Sequence, residues 1–334
     1  MKRRRWLQTS LGAGALAALG AGLALTGAAT GRTVVPATPW RERLLLGFGS
    51  TLSLRVAHPD GALAEWALDG AVATIRRIEG QMSLFRADSA LSRLNRDGVL
   101  RDPPADLLAV LQIAQAVSAR SAGSFDVTVQ PLWQAFATAR GQGRLPTPAE
   151  VRAARERVGW AALEVEPRRI RFLRPGMGVT LNGIAQGYAA DAVRAQLQRA
   201  GIEHALINTG EWSALGQSPA RRPWTVGVAD PRNPAGRVAR LVVGGRGVAT
   251  SADNESAFSD DLRHHHIFDP RRGYSPAELA SVTVAAPSCA LADALAKVVF
   301  VDGVRAAGAI AREWRVDIVL VDKTGATHFV DGTA

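Results

Sequence analysis

Asp293 and Lys297 stand four residues apart in an apolar run that reads as a helix, so a carboxylate and an ammonium share one helix face. His264, His265 and His266 are consecutive. Three imidazoles in a row suggest a metal cluster, but adjacent side chains diverge, so a solvated turn is the better reading. Asp126 precedes Val127-Thr128-Val129, which reads as a strand entered through a turn that Asp126 caps. Asp269-Pro270 is a turn former. Gly183 and Gly187 suit close helix packing, and Phe85 and Phe125 are equally readable as core aromatics. Cys289 is the single cysteine; it excludes an internal disulfide and, in an apolar run, reads as a small buried core residue.

The elements that must carry these residues follow from periodicity. Residues 62–80 and 106–121 repeat apolar side chains at helical spacing. Thr147-Pro148-Ala149-Glu150 has the spacing of a capping box with proline in the first turn. Residues 183–200 read as a helix stopped by Gly201, 287–300 as an apolar helix, and 304–314 as a further helix. Residues 44–57, broken at Gly47 and Gly49, read as extended chain, as do 205–208, 224–229, 241–243 and 281–286. Residues 316–321 and 327–330 flank Asp322-Lys323-Thr324-Gly325 as a closing hairpin. Helices and strands mix without a steady βαβ alternation, which favours an α+β fold over a doubly wound sheet. The expected domain covers residues 44–334, with 30–43 as a linker.

The first residues read as a targeting segment. Lys2, Arg3, Arg4 and Arg5 are followed by an uncharged Ala-, Gly- and Leu-rich stretch, with small residues at Thr26, Gly27, Ala28 and Ala29. Arg3-Arg4-Arg5-Trp6-Leu7-Gln8 resembles a twin-arginine (Tat) export signal, so residues 1–29 are expected to be removed and the product to reside in the periplasm. The Tat translocon, which carries folded proteins, is then a partner during export. With no cysteine near the cleavage region, the product is expected to be soluble and without a lipid anchor. Losing four basic side chains and no acids lowers the net charge of +10 to about +6. No basic stripe with interleaved aromatics is visible, which argues against nucleic-acid binding, while a mildly basic surface suits an anionic dinucleotide.

Seven ordered blocks resemble the ApbE family of FAD:protein FMN transferases. Glu79-Gly80-Gln81-Met82-Ser83-Leu84-Phe85 with Asp88-Ser89-Ala90-Leu91-Ser92-Arg93-Leu94-Asn95 is the first, and Gly123-Ser124-Phe125-Asp126-Val127-Thr128-Val129-Gln130-Pro131-Leu132 the second. Leu181-Asn182-Gly183-Ile184-Ala185-Gln186-Gly187-Tyr188-Ala189-Ala190-Asp191 is the third, followed by Trp224-Thr225-Val226-Gly227-Val228-Ala229-Asp230-Pro231 and Ala249-Thr250-Ser251. His266-Ile267-Phe268-Asp269-Pro270 with Gly273, then Ser281-Val282-Thr283-Val284 with Ala292-Asp293-Ala294-Leu295-Ala296, complete the series.

The resemblance implies an ApbE-like, T-fold-related, two-lobed mixed α/β domain with the FAD site between lobes. It implies transfer of FMN from FAD to a threonine or serine hydroxyl of an acceptor flavoprotein with a Gly-Ala-Thr/Ser-type site, releasing AMP. Phe85, Ser124, Phe125 and Asp126 would line the flavin and adenine pocket; Thr180 to Gln186 would lie along the dinucleotide, with Thr250 in a further matching block. Gly183 would offer a carbonyl and Asp293 a carboxylate to Mg²⁺, and His266 would sit near the phosphates. Phosphoryl transfer asks a protein mainly for positioning and electrostatics, and Mg²⁺ is a hard cation that clamps phosphate oxygens. The twin-arginine signal and missing lipobox resemble the branch that serves nitrous-oxide reduction.

Four positions depart from the commonest family pattern: Thr180 for Asp, Gln186 for Lys or Glu, Ala252 for Gly, and Lys297 for a Thr or Ser that helps bind metal. Lys297 leaves three arrangements open. It supplies positive charge to the phosphates, or points away and leaves Mg²⁺ on Asp293, or pairs with Asp293 and abolishes metal binding. The last makes a periplasmic FAD/FMN carrier without transferase activity the alternative function. Gly325-Ala326-Thr327 matches the end of the acceptor motif, yet a plain hairpin turn accounts for it.

Overall fold

Alternation along residues 51–56 buries Leu52, Leu54 and Val56, the pattern of a strand with one face on a core. The structure is a computed structural model that describes residues 38–332. The export-signal reading of residues 1–29 lies outside them.

In chain order, strands β1 (Trp40–Gly47) and β2 (Ser50–Ala57) lead to helices α1 (Gly61–Met82) and α2 (Ala90–Asp97), then β3 (Val99–Arg101) and α3 (Ala105–Arg120). Helices α4 (Gln130–Gly141) and α5 (Pro148–Arg155) precede β4 (Leu163–Glu166), β5 (Arg169–Phe172) and α6 (Ala185–Arg199). Strands β6 (His204–Asn208), β7 (Trp212–Leu215), β8 (Thr225–Ala229), β9 (Arg237–Val242), β10 (Gly247–Ala252) and β11 (Leu279–Ala286) follow. The chain closes with α7 (Cys289–Asp302), α8 (Val304–Trp314), β12 (Asp317–Asp322) and β13 (Thr327–Val330). An eight-stranded sheet runs β1-β2-β6-β7-β10-β11-β12-β13, with every described pair antiparallel. Two small sheets, β3-β5-β4 and β8-β9, flank it. This is the α+β class expected. No described helix is long and apolar enough to cross a membrane.

Every residue of β11 is buried, because the sheet is covered on both faces there. Its cover includes α7, which is apolar all round and buries ten of its residues. Ser288 caps α7 by accepting from the Leu291 amide at 3.2 Å. Asp191 of α6 adds a carboxylate there, accepting from the Cys289 and Ala290 amides at 2.8 and 2.9 Å. Cys289 is fully buried, as expected of a core residue. Gly187 lets α6 come this close: a Cβ on it would stand 2.4 Å from the Cys289 carbonyl oxygen.

Helices α1, α3, α5, α7 and α8 and the closing hairpin lie where periodicity placed them, and Thr147 and Glu150 make the reciprocal capping box. Asp322 accepts from the Thr324 and Ala326 amides, so Gly325-Ala326-Thr327 belongs to an ordinary hairpin. Two expectations need correction. Residues 40–43, read as linker, are the first half of β1, paired from Trp40↔Ala57 onward. As an edge strand, β1 faces solvent with much of its length, so its Arg-Glu-Arg pattern looks unstructured. Val127-Thr128-Val129 is not a strand: Asp126 Oδ1 accepts from both the amide and the hydroxyl of Thr128, turning the chain into α4.

Gly187→Ala must push α6 off the first turn of α7. It is expected to lower stability by about 1–3 kcal/mol, read as a lower urea midpoint at unchanged slope; an unchanged midpoint would show that the crossing is not tight.

Candidate functional site

One cleft gathers most of the chemistry-bearing residues. It encloses about 120 Å³ and opens at its mouth to solvent. The turn before α4 supplies Ser124, Phe125 and Asp126, and the segment before α6 supplies Thr180, Asn182 and Gly183. Gln186 comes from the first turn of α6 and Lys297 from α7. The sheet side contributes Glu211, Thr250 and Ser251, and the loop after β10 contributes Glu255, His266, Ile267, Phe268 and Pro270. The Ser124–Asp126 turn, the Thr180–Gln186 segment, Thr250 and His266 thus meet across one opening.

At its floor Lys297 Nζ donates to Asp293 Oδ1, and Asp293 Oδ2 accepts from the Gly187 amide at 3.2 Å. Asp293 is 1% exposed and stands behind the lining rather than in it. Burial opposes the charge on Lys297, but Asp293 and Glu211 outweigh it and hold the ammonium above the ordinary lysine range. Lys297 therefore does not point away: it pairs with Asp293 and lines the cleft at once. Its Cε lies 3.1 Å from where a Cβ on Gly183 would be, so the lysine stem runs close along the Gly183 backbone.

Gly183 and Asp293 do not fit the expected Mg²⁺ site. Both Asp293 oxygens face N–H donors, and the side chain between Asp293 and Gly183 ends in an ammonium where magnesium needs oxygen. Among the described residues no group of three or more His, Cys, Asp or Glu could hold a metal ion.

Glu211 was not anticipated. It sits in the turn from β6 to β7, accepts from the Thr250 amide at 3.0 Å, and is buried beside Asp293. Burial, then Asp293, push its carboxyl well above the ordinary range, with Lys297 pulling the other way. Glu255 also lines the cleft; the surrounding walls raise its carboxyl although the residue as a whole is exposed. Neither has a local signature, since each is an isolated acid in a loop.

The histidines diverge, but not into a solvated turn. His265 is fully buried, its Nε2 3.2 Å from the Pro276 carbonyl, its ring edge-on to Phe300. His264 packs on Phe136. Only His266 faces the cleft, with Nδ1 3.2 Å from the Ser256 carbonyl. Burial, helped by Lys297, lowers His266 to about 4, and burial lowers His265 to about 4.

The remaining expected residues are placed unevenly. Phe125 lines the cleft, 4% exposed. Ser124 donates to Asp302 at the end of α7 at 2.7 Å. Asp126 is buried and braces the turn, its Oδ2 accepting from the Trp160 amide at 2.9 Å. The Thr180 amide donates to the Val127 carbonyl at 2.8 Å, tying the two lining segments together. Thr250 and Thr283 share a hydroxyl–hydroxyl bond of 2.9 Å. Ser251 is buried and its Oγ has no partner among the described residues. Phe85 is not brought to the cleft lining and is not a core aromatic: it is 88% exposed in the turn after α1.

Comparison with known proteins gives a match to the ApbE family over residues 48–320. A Salmonella typhimurium FAD:protein FMN transferase is 31% identical over 258 residues, covering 73% of each chain. The flavin transferase ApbE from Vibrio cholerae superposes with a TM-score of 0.76 at 26% identity, covering 88% of this chain and 98% of that one. The ApbE protein of Thermotoga maritima shares the fold, with a TM-score of 0.80 at 24% identity over 87% of this chain and 97% of that one.

His265 and His266 are neutral when folded and ordinary only when unfolded, so between about pH 4 and their usual 6.5 the unfolded chain binds more protons. Stability is therefore lost as pH falls through that window, by up to about 3 kcal/mol for fully buried His265. Urea unfolding at pH 7, 6, 5 and 4 should show a shallower decline for His265→Gln than for the native chain; parallel declines would mean that His265 charges freely in the fold.

Proposed function

The chain belongs to the ApbE family, and on that premise we propose that it transfers FMN from FAD to a threonine or serine hydroxyl of an acceptor protein, with AMP as leaving group. One observation carries the reading: a neutral imidazole, His266, and an ammonium, Lys297, line a single cleft whose other walls are the Ser124–Asp126 and Thr180–Gln186 segments.

The acceptor oxygen attacks the FMN phosphorus, the bond from that phosphorus to the oxygen bridging to AMP breaks, and AMP departs with that oxygen. The hydroxyl proton must leave as the new ester forms. Nδ1 of His266 faces a carbonyl, which requires the proton on Nδ1 and leaves Nε2 bare to accept one. Lys297 offers positive charge to the phosphate oxygens. No serine nucleophile of the protein's own is needed, because the attacking oxygen belongs to the acceptor.

By the same reading the acceptor carries a Gly-Ala-Thr/Ser-type site and meets the enzyme in the periplasm, after twin-arginine export directed by Arg3, Arg4 and Arg5. The absence of a cysteine near the cleavage region favours the branch serving a nitrous-oxide-reduction flavoprotein. The Asp293–Lys297 pair favours a second reading, a flavin carrier without transfer.

Incubation of the purified protein with FAD and an acceptor domain bearing such a site should add one FMN to the acceptor's intact mass and release AMP. His266→Gln should slow transfer by about 10²–10⁴-fold with FAD affinity little changed. FAD binding with no mass gain and no AMP would leave the carrier reading standing instead.

A further inference from the structure

We propose that the Lys297 ammonium is a built-in replacement for a divalent cation at the donor's diphosphate, so that this protein binds FAD and transfers FMN without metal; the transfer half rests on the function proposed above. Lys297 is the lining residue that fills the space between Asp293 and Gly183, with Cε 3.1 Å from the position of a Gly183 Cβ and Cδ 3.5 Å from it. A cation bound to Asp293 from the cleft side would have to displace that ammonium.

The ammonium is held rather than free. Asp293 Oδ1 receives one of its N–H groups, and Asp293 is fixed in turn by the Gly187 amide at 3.2 Å. An ammonium has three donors. Among the described residues Asp293 is the hydrogen-bond partner of Lys297 Nζ, which leaves two donors for oxygens of a ligand in the cleft. Lysine binds phosphate as a compact point charge, and here its freedom is already restricted by the pair. A magnesium ion entering the same space would have to take Asp293 from the ammonium and sit against a like charge in a dry site, while losing water that it gives up reluctantly. As the bond between the FMN phosphorus and the bridging oxygen breaks, negative charge grows on the departing AMP phosphate. A fixed ammonium stabilises that charge without exchanging a proton or an electron.

The test uses the purified full-length protein, treated with EDTA or supplied with Mg²⁺, and compares it with Lys297→Thr. FAD affinity is read by flavin fluorescence, and transfer by the intact mass of the acceptor. The native protein should bind FAD with the same affinity, within about twofold, in either condition, and transfer should persist in EDTA. Lys297→Thr should bind FAD at least about tenfold more weakly in EDTA and recover when Mg²⁺ is added. Loss of native FAD affinity in EDTA with recovery in Mg²⁺ overturns the proposal, as does a Lys297→Thr protein that binds FAD normally in EDTA. Absence of FAD binding in every arm overturns it too. Metal-independent FAD binding with no transfer to any acceptor refutes the FMN-transfer reading while upholding the role of Lys297 at the diphosphate. The native arms decide the metal question even if Lys297→Thr does not fold.

Discussion

A carboxylate enclosed in an apolar helix has lost its water and must find compensating charge within a few ångströms. Asp293 meets that demand with Lys297 one turn further along α7 and with the Gly187 amide at the start of α6. Removing a charge from water costs several kcal/mol even after relaxation, so neither contact is free to drift. The amide is within reach only because α6 and α7 nearly touch, and they nearly touch because residue 187 has no Cβ. Packing and electrostatics are therefore one constraint: the crossing that closes the core also fixes the cation at the floor of the cleft.

The rest of the cleft is arranged around that cation. Glu211 is buried close enough to feel Asp293 and Lys297, and its carboxyl is driven toward the neutral form. His266 is kept uncharged by burial and by the same ammonium. The Lys297 ammonium is the basic side chain in the lining, and the shifts of Glu211 and His266 both lower the charge that surrounds it. The rim depends on a second buried acid. Asp253, fully buried, is gripped by two Arg232 nitrogens at 2.7 Å and by Lys323 at 3.3 Å, so the turns after β8 and β12 anchor the loop that carries Glu255 and His266.

Helical spacing put Asp293 and Lys297 on one face, while Gly183, His266 and Ser124–Asp126 were singled out by the ApbE resemblance rather than by any local pattern. The long helices and the closing hairpin were visible in the sequence, where apolar periodicity and turn residues agree. Phe85 was misplaced, because an aromatic in a loop has no local signal for exposure. β1 and the Val127–Val129 turn were missed because pairing at a sheet edge and an aspartate's hydrogen bonds override strand propensity. Glu211 was missed because its neighbours Asp293 and Thr250 come from distant parts of the chain.

The sequence by itself determined the α+β class, the ApbE resemblance and the placing of a carboxylate and an ammonium on one face of an apolar helix. It left open whether that ammonium points away, pairs, or reaches the cleft, since four-residue spacing permits all three. Only the tertiary structure decided, because the choice is made by groups remote in sequence: the Gly187 amide that occupies the second Asp293 oxygen, the Gly183 backbone that the lysine stem runs along, and the desolvating walls that make the pair necessary.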